Sequence, residues 1–208
     1  MGMFITLEGP DGSGKTTQAH LVFDWLRHQG QDVLLTREPG GSDIGDQVRE
    51  VLHDSSNSAM APQTEFLLYS ASRAQHVAQL ILPSLKAGRI VISDRYADSS
   101  LAYQGYGRGL DLEMLRLITA FATQGLKPDL TLYFDIPAGD GLQRRLLSGE
   151  AWNRMDAEAL AFHQRVRTGY LELANAEPDR WKVIDASRSI RDVQRDVRSV
   201  VRARLERG

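Results

Sequence analysis

The chain has 208 residues, with 25 Lys and Arg against 27 Asp and Glu and a formal net charge of −2. That length suits a single domain with a substantial core, and the charge balance leaves no polybasic footprint for nucleic acid or an anionic membrane. With no cysteine, disulfides and thiolate metal sites are excluded, and no apolar run approaches the ~18–20 residues of a membrane span.

The first predicted strand, residues 3–7, is the apolar run Met3-Phe4-Ile5-Thr6-Leu7. Behind it stands Gly9-Pro10-Asp11-Gly12-Ser13-Gly14-Lys15-Thr16, a full G-x-x-x-x-G-K-[ST] loop. A helical pattern follows over 15–29, with Val22, Trp25 and Leu26 at i, i+3 and i+4. Strand, Gly-rich loop and helix in that order make a phosphate-binding P-loop. The glycines let successive N–H groups converge on one phosphate chain, and the helix adds its positive end. Lys15 is placed to reach the β- and γ-phosphates, the Thr16 hydroxyl to hold Mg²⁺, and Thr17 to extend the phosphate-binding set. ATP and Mg²⁺ are the implied cofactors.

Further strands are predicted at 32–36, 89–93, 130–135 and 181–185. Their nearly continuous branched cores suit strands covered on both faces. Helices are predicted near 44–53, 62–85, 111–123, 138–148, 157–176 and 189–206, with Asp111 as an N-cap. Alternating β and α after a P-loop gives a doubly wound, five-stranded parallel sheet with helices on both faces. In such folds ligands bind at the carboxyl ends of the strands.

After the second strand comes Arg37-Glu38-Pro39-Gly40-Gly41, either a ligand-approaching turn or a structural one. In the third helix Tyr69 and Arg73 stand four apart on one face. They suit stacking on a planar base and donating to its edge; equally, they suit a core Tyr with a snorkelling Arg. After the third strand, Asp94 is placed to position Mg²⁺ and Arg95 to clamp a phosphate. The alternative is an ion pair at the sheet's edge. The stretch 144–156 holds Arg144, Arg145 and Arg154 around Gly149 and suits a short mobile lid that closes cations over a transferring phosphoryl group, or else a solvated connection. Along the last helix, Arg191, Arg195, Arg198 and Arg202 read as a solvated face, with Arg188 and Asp192 spaced to pair. The five histidines show no paired ligand spacing. A strand at the very N-terminus leaves no signal peptide expected, so a cytoplasmic enzyme is the default.

Taken together, these pieces resemble the thymidylate kinase family. They are Glu8 to Thr16, Arg37-Glu38-Pro39-Gly40-Gly41, Tyr69-Ser70-Ala71-Ser72-Arg73, Asp94-Arg95-Tyr96 with Ala102-Tyr103-Gln104-Gly105, and Arg165-Val166-Arg167 running into Tyr170-Leu171-Glu172-Leu173-Ala174. The resemblance implies ATP + dTMP → ADP + dTDP with Mg²⁺, in a homodimer. It implies that Tyr69 stacks on thymine and Arg73 bonds its carbonyl edge. Glu38 and Pro39 would flank the substrate, while Ser99, Ser100 and Gln104 would lie along it. Tyr103 would crowd the sugar's 2′ side, and Asp11 would act near the 3′-OH and the metal. Arg95, helped by Arg49, would hold the dTMP phosphate, and Asp94 would lie near metal and phosphates. The P-loop has no Arg between Gly9 and Gly14, so the lid supplies the catalytic cation: Arg154 first, then Arg144 and Arg145. The lid departs from the common bacterial pattern in reading Asn153-Arg154-Met155-Asp156. Two rivals remain: a deoxynucleoside or other monophosphate kinase, and a P-loop regulatory ATPase. The absence of Asn-Lys-x-Asp argues against a GTPase switch.

Overall fold

A computed structural model describes residues 2–149 and 153–206. Five strands, β1 (Phe4–Glu8), β2 (Val33–Arg37), β3 (Ile90–Asp94), β4 (Leu130–Asp135) and β5 (Trp181–Asp185), form one sheet in the order β2-β3-β1-β4-β5. Every pairing is parallel, with Ile5 opposite Ile92 and Leu7 opposite Leu132. The helices are α1 (Lys15–His28), α2 (Asp43–His53), α3 (Pro62–His76), α4 (Leu82–Lys86), α5 (Ala97–Ser100), α6 (Leu112–Ala122), α7 (Ala138–Leu147), α8 (Leu160–Ala176) and α9 (Ile190–Leu205). This is the doubly wound α/β sheet that the strand pattern predicts.

Successive side chains on a strand point to opposite faces. On one face Ile5, Leu7, Ile92, Leu132 and Phe134 pack with Val22 and Leu26 of α1 and Val193, Val197 and Val201 of α9. On the other, Phe4 and Val91 meet Val77, Ile81 and Leu85, while Tyr133 stacks on Tyr170 with centroids 5.0 Å apart. Glu8, two residues after Thr6, also turns to this second face and is fully buried.

The structure alters the predicted elements at three places. The helix read over 62–85 is interrupted: α3 passes into a π-helical stretch, Val77–Ile81, before α4. Pro83, in the first turn of α4, has no N–H with which to continue the ladder. The segment after β3, where no helix was predicted, is helical: α5 runs into a second π-helical stretch, Leu101–Gly107. Its Gly- and Tyr-rich sequence has little helical propensity, and close packing on α8 holds it. A Cβ on Gly107 would meet the Phe162 ring at 2.6 Å, and one on Gly169 would meet Tyr106 at 2.5 Å. Finally, Arg188 does not pair with Asp192. It precedes Ser189, which caps α9, so it lies off the helical face and pairs with Asp185 and Asp196. The Asp111 cap forms as expected, accepting from the Met114 N–H at 2.7 Å.

Candidate active site

The carboxyl ends of β1, β2 and β3 open on one cleft of about 530 Å³. The P-loop forms one end, with Asp11, Gly12, Gly14, Lys15, Thr16 and Thr17 on the wall. Gly12 approaches α7 so closely that a Cβ would lie 2.0 Å from the Gly141 carbonyl oxygen, and its φ is +77°. Lys15 is buried and its ammonium donates to the Pro10 carbonyl at 2.8 Å. Burial, with the Arg95 charge beside it, pulls its pKa down to about 8, against the pull of Asp11, Asp94 and Glu8. Ser13 faces a second, smaller cavity of about 350 Å³, shared between Gly14, Gln18, Arg144, Arg188 and Ile190.

Thr16 donates to Asp94 Oδ2 at 2.5 Å, which brings the two expected metal-binding residues together across α1 and β3. Among the described residues there is no cluster of three His, Cys, Asp or Glu side chains able to cage a cation. A hydroxyl and a single carboxylate beside a phosphate site fit Mg²⁺, which keeps waters and takes substrate oxygens.

Arg95 occupies the centre. Its φ of +72° is left-handed, a strained conformation for a side chain of this size. Its Nη2 donates to Asp11 Oδ1 at 2.9 Å and to the Tyr103 hydroxyl at 3.2 Å, and its Nη1 to Ser99 and Tyr170, each at 3.3 Å. Burial alone would raise the Asp11 pKa; the Arg95 and Lys15 charges outweigh it and hold the carboxyl well below its usual range.

Behind Arg95 lies Glu8, for which the sequence suggested no role. Oε1 accepts the Tyr96 N–H at 2.8 Å; Oε2 accepts from Ser99 at 2.5 Å and from Tyr170 at 2.9 Å. Glu8 thus pins the backbone just after the strained residue and both hydroxyls that touch its guanidinium. Burial, then Asp98, pushes the Glu8 pKa up to about 7. An acidic residue closing an apolar strand before a P-loop was the available signal. Tyr170 fits the buried stripe of α8, and beyond its place in the stretch Tyr170-Leu171-Glu172-Leu173-Ala174 nothing marked its hydroxyl.

Tyr69, Ser99, Ser100, Tyr103 and Gln104 line the far end of the cleft, with Glu38, Pro39 and Arg49 beside them. Arg49 donates to the Pro39 carbonyl at 3.0 Å. Burial raises the Tyr69 hydroxyl to about 12, so it stays neutral. Arg73 is 1% exposed and lies behind this wall. Its Nε donates to Glu38 at 2.8 Å, Nη1 to Ser100 at 3.0 Å and Nη2 to the Tyr96 carbonyl at 3.1 Å. The buried His76 holds the other Glu38 oxygen at 3.1 Å and Thr36 at 2.7 Å.

The arginines of 144–156 divide. Arg144 lines both cavities and donates to the Ala186 and Ser187 carbonyls at 2.8 and 3.0 Å. Arg145 lines the main cleft and pairs with Asp156 at 3.1 Å. Arg154, expected as the first lid cation, is instead held by Glu65 at 2.5 Å and the Leu52 carbonyl at 3.3 Å. Residues 150–152 of the expected lid lie outside the described residues. The turn from β5 into α9, which walls the smaller cavity through Arg188, Ser189 and the first helical residue Ile190, carried no recognisable motif.

Three comparisons bear on this arrangement. The sequence model of the thymidylate kinase family matches residues 7–197. The thymidylate kinase of Roseiflexus sp. (strain RS-1) is 50% identical over 97% of this chain and 94% of its own. That of Geotalea uraniireducens (strain Rf4) is 46% identical over the full length of both. A crystal structure of thymidylate kinase from Ehrlichia chaffeensis superposes with a TM-score of 0.79, at 35% identity, over 97% of this chain and 98% of that one.

Proposed function

The chain belongs to the thymidylate kinase family, and from that premise we propose that its cleft passes the γ-phosphoryl group of ATP to the 5′-phosphate of dTMP, giving ADP and dTDP, with Mg²⁺. The observation that carries the reading is one continuous cleft running from Lys15 through Arg95 to the Tyr69–Gln104 wall. Lys15 and the P-loop backbone compensate the donor phosphates, and Arg95 holds the acceptor phosphate. The bond between Arg95 Nη2 and Asp11 is the one an incoming phosphate exchanges. Asp11, kept ionised, then accepts from the sugar 3′-OH. Thr16 and Asp94 would hold Mg²⁺, which would offset charge on the phosphate oxygens. The acceptor oxygen is already anionic, so no general base is required; alignment and charge compensation carry the rate.

Tyr69 stacks on the thymine and Tyr103 crowds the 2′ side of the sugar. The smaller cavity under Arg144 takes the ATP base. On the donor side Arg144 and Arg145 come before Arg154, which must leave Glu65 to reach a phosphate. The whole chain acts as one kinase domain with 144–156 as its lid, in the cytoplasm, without nucleic-acid or membrane partners. No described helix is long and apolar enough to cross a membrane. The test is an adenosine–thymidine dinucleotide bridged by five phosphates. It competes with both ATP and dTMP if they share one cleft; competition with only one substrate refutes the reading.

Three adjacent helices expose apolar side chains: Ile44 and Val51 on α2, Leu67 on α3, and Met114, Leu117 and Phe121 on α6. Phe121 is 87% exposed. An apolar surface of this kind fits a second copy of the chain. Sedimentation velocity should show a dimer that Phe121→Asp converts to monomer; a wild type that sediments as a monomer at tens of micromolar sinks this assignment.

A further inference from the structure

Arg95 is held in its left-handed conformation from both β1 and β3. Its N–H donates to the Leu7 carbonyl at 2.9 Å, and its own carbonyl accepts from the Ser93 hydroxyl at 2.7 Å. The next amide, that of Tyr96, donates to Glu8 Oε1 at 2.8 Å. Glu8 Oε2 takes the hydroxyls of Ser99 and Tyr170, and the same two hydroxyls receive Arg95 Nη1 at 3.3 Å each. They lie 2.9 Å from one another, between a carboxylate and a guanidinium. The proton count fixes the direction of these bonds. A guanidinium has only donors, an ionised carboxylate only acceptors, and each hydroxyl carries one proton. Whether each hydroxyl donates to Oε2 directly or one passes through the other, the protons run toward Glu8 and lone pairs are left for Arg95. Burial and Asp98 oppose ionisation of Glu8, while the Ser99 bond, the Arg95 charge and the Tyr170 bond favour it. Glu8 and Arg95 thus form an ion pair bridged by two hydroxyls. The bridge engages Nη1; Nη2 turns to Asp11 and Tyr103, which line the cleft.

We propose that Glu8 is a positioning residue: through Ser99 and Tyr170 it fixes one arm of Arg95 and leaves the other to exchange Asp11 for the acceptor phosphate. A guanidinium anchored on one side meets the phosphate with little side-chain entropy left to lose. In Glu8→Gln the carboxylate is replaced by an amide with two protons of its own. Whichever way that amide faces, its NH₂ meets a donor, either the Tyr96 N–H or the two hydroxyl protons, and the bridge to Nη1 is disordered. The inference rests on the acceptor-phosphate reading above.

The test is calorimetric binding of dTMP, and of thymidine, which lacks the phosphate, at about pH 8, above the Glu8 pKa of about 7. The proteins are the wild type, Glu8→Gln, Arg95→Ala and the double variant. Glu8→Gln should weaken dTMP at least tenfold and leave thymidine within twofold. In the Arg95→Ala background the same change should weaken dTMP less than twofold, because a group acting through Arg95 then has nothing to position. An equal loss for dTMP and thymidine would make Glu8 merely structural and overturn the proposal. So would a tenfold loss that persists without Arg95. Ser99→Ala combined with Tyr170→Phe keeps Glu8 and the ring stacked on Tyr133 and removes the bridge. It should reproduce the tenfold loss for dTMP; unchanged dTMP affinity there overturns the proposal even if Glu8→Gln does not fold. Arg95→Ala binding dTMP as tightly as the wild type would instead overturn the acceptor-phosphate reading beneath it.

Discussion

Lys15→Ala should lower kcat by about 10²–10³-fold, the usual cost of removing one preorganised charge from a transition state. The ammonium is buried beside the P-loop backbone and, among the described residues, forms no ion pair; its one protein acceptor is the Pro10 carbonyl. A cation held this way has been desolvated and is stabilised fully only when phosphate oxygens arrive. Little reorganisation is then needed during transfer. The same burial predicts a pH limb. With its pKa near 8, Lys15 is charged below that value and loses its proton as pH rises through it. kcat/KM for ATP, which reports the free enzyme, should therefore fall above about pH 8. Lys15→Arg should remove that limb, whatever its rate, because guanidinium does not titrate there. An unchanged limb in Lys15→Arg would assign it to another group.

The second large effect is at Arg95. Arg95→Ala should reduce kcat/KM for dTMP by about 10³-fold while KM for ATP changes little, if Arg95 holds the acceptor phosphate as proposed, because the variant then loses a charge-assisted, multidentate contact. Arg95→Lys should not restore activity. A single ammonium cannot reach Asp11, Tyr103, Ser99 and Tyr170 together as the fork does. The backbone gives an independent check. At φ +72° any side chain is strained by about 1–2 kcal/mol, and glycine is not. Arg95→Gly should therefore be as inactive as Arg95→Ala yet melt at a higher temperature. Equal KM for dTMP in wild type and Arg95→Ala would remove Arg95 from the acceptor site.

Most of the architecture was legible because parallel strands covered on both faces must be apolar, and Ile5, Ile92 and Leu132 satisfy that in sequence as in space. The P-loop was legible because its glycines and Lys15 follow the G-x-x-x-x-G-K-[ST] spacing that phosphate binding requires. The helical stretch Leu101–Gly107 was not, because tertiary packing on α8 overrides poor local propensity. The buried side chains of Glu8, Glu65 and the Glu38–Arg73–His76 set were equally hidden. Each joins segments tens of residues apart, and charge in a sequence reads by default as surface. Arg73 shows the limit from the other side. Its helical spacing from Tyr69 marked it as relevant to a base, while its bonds to Glu38, Ser100 and the Tyr96 carbonyl were not legible in the sequence.

The most direct test of the account is ADP release from ATP·Mg²⁺, measured side by side with dTMP, dUMP, dCMP, AMP, thymidine and no acceptor. The account predicts strong turnover with dTMP, weaker turnover with dUMP, and little with the rest. Thymidine or AMP replacing dTMP as the preferred acceptor, or ATP hydrolysis indifferent to any acceptor, would contradict it.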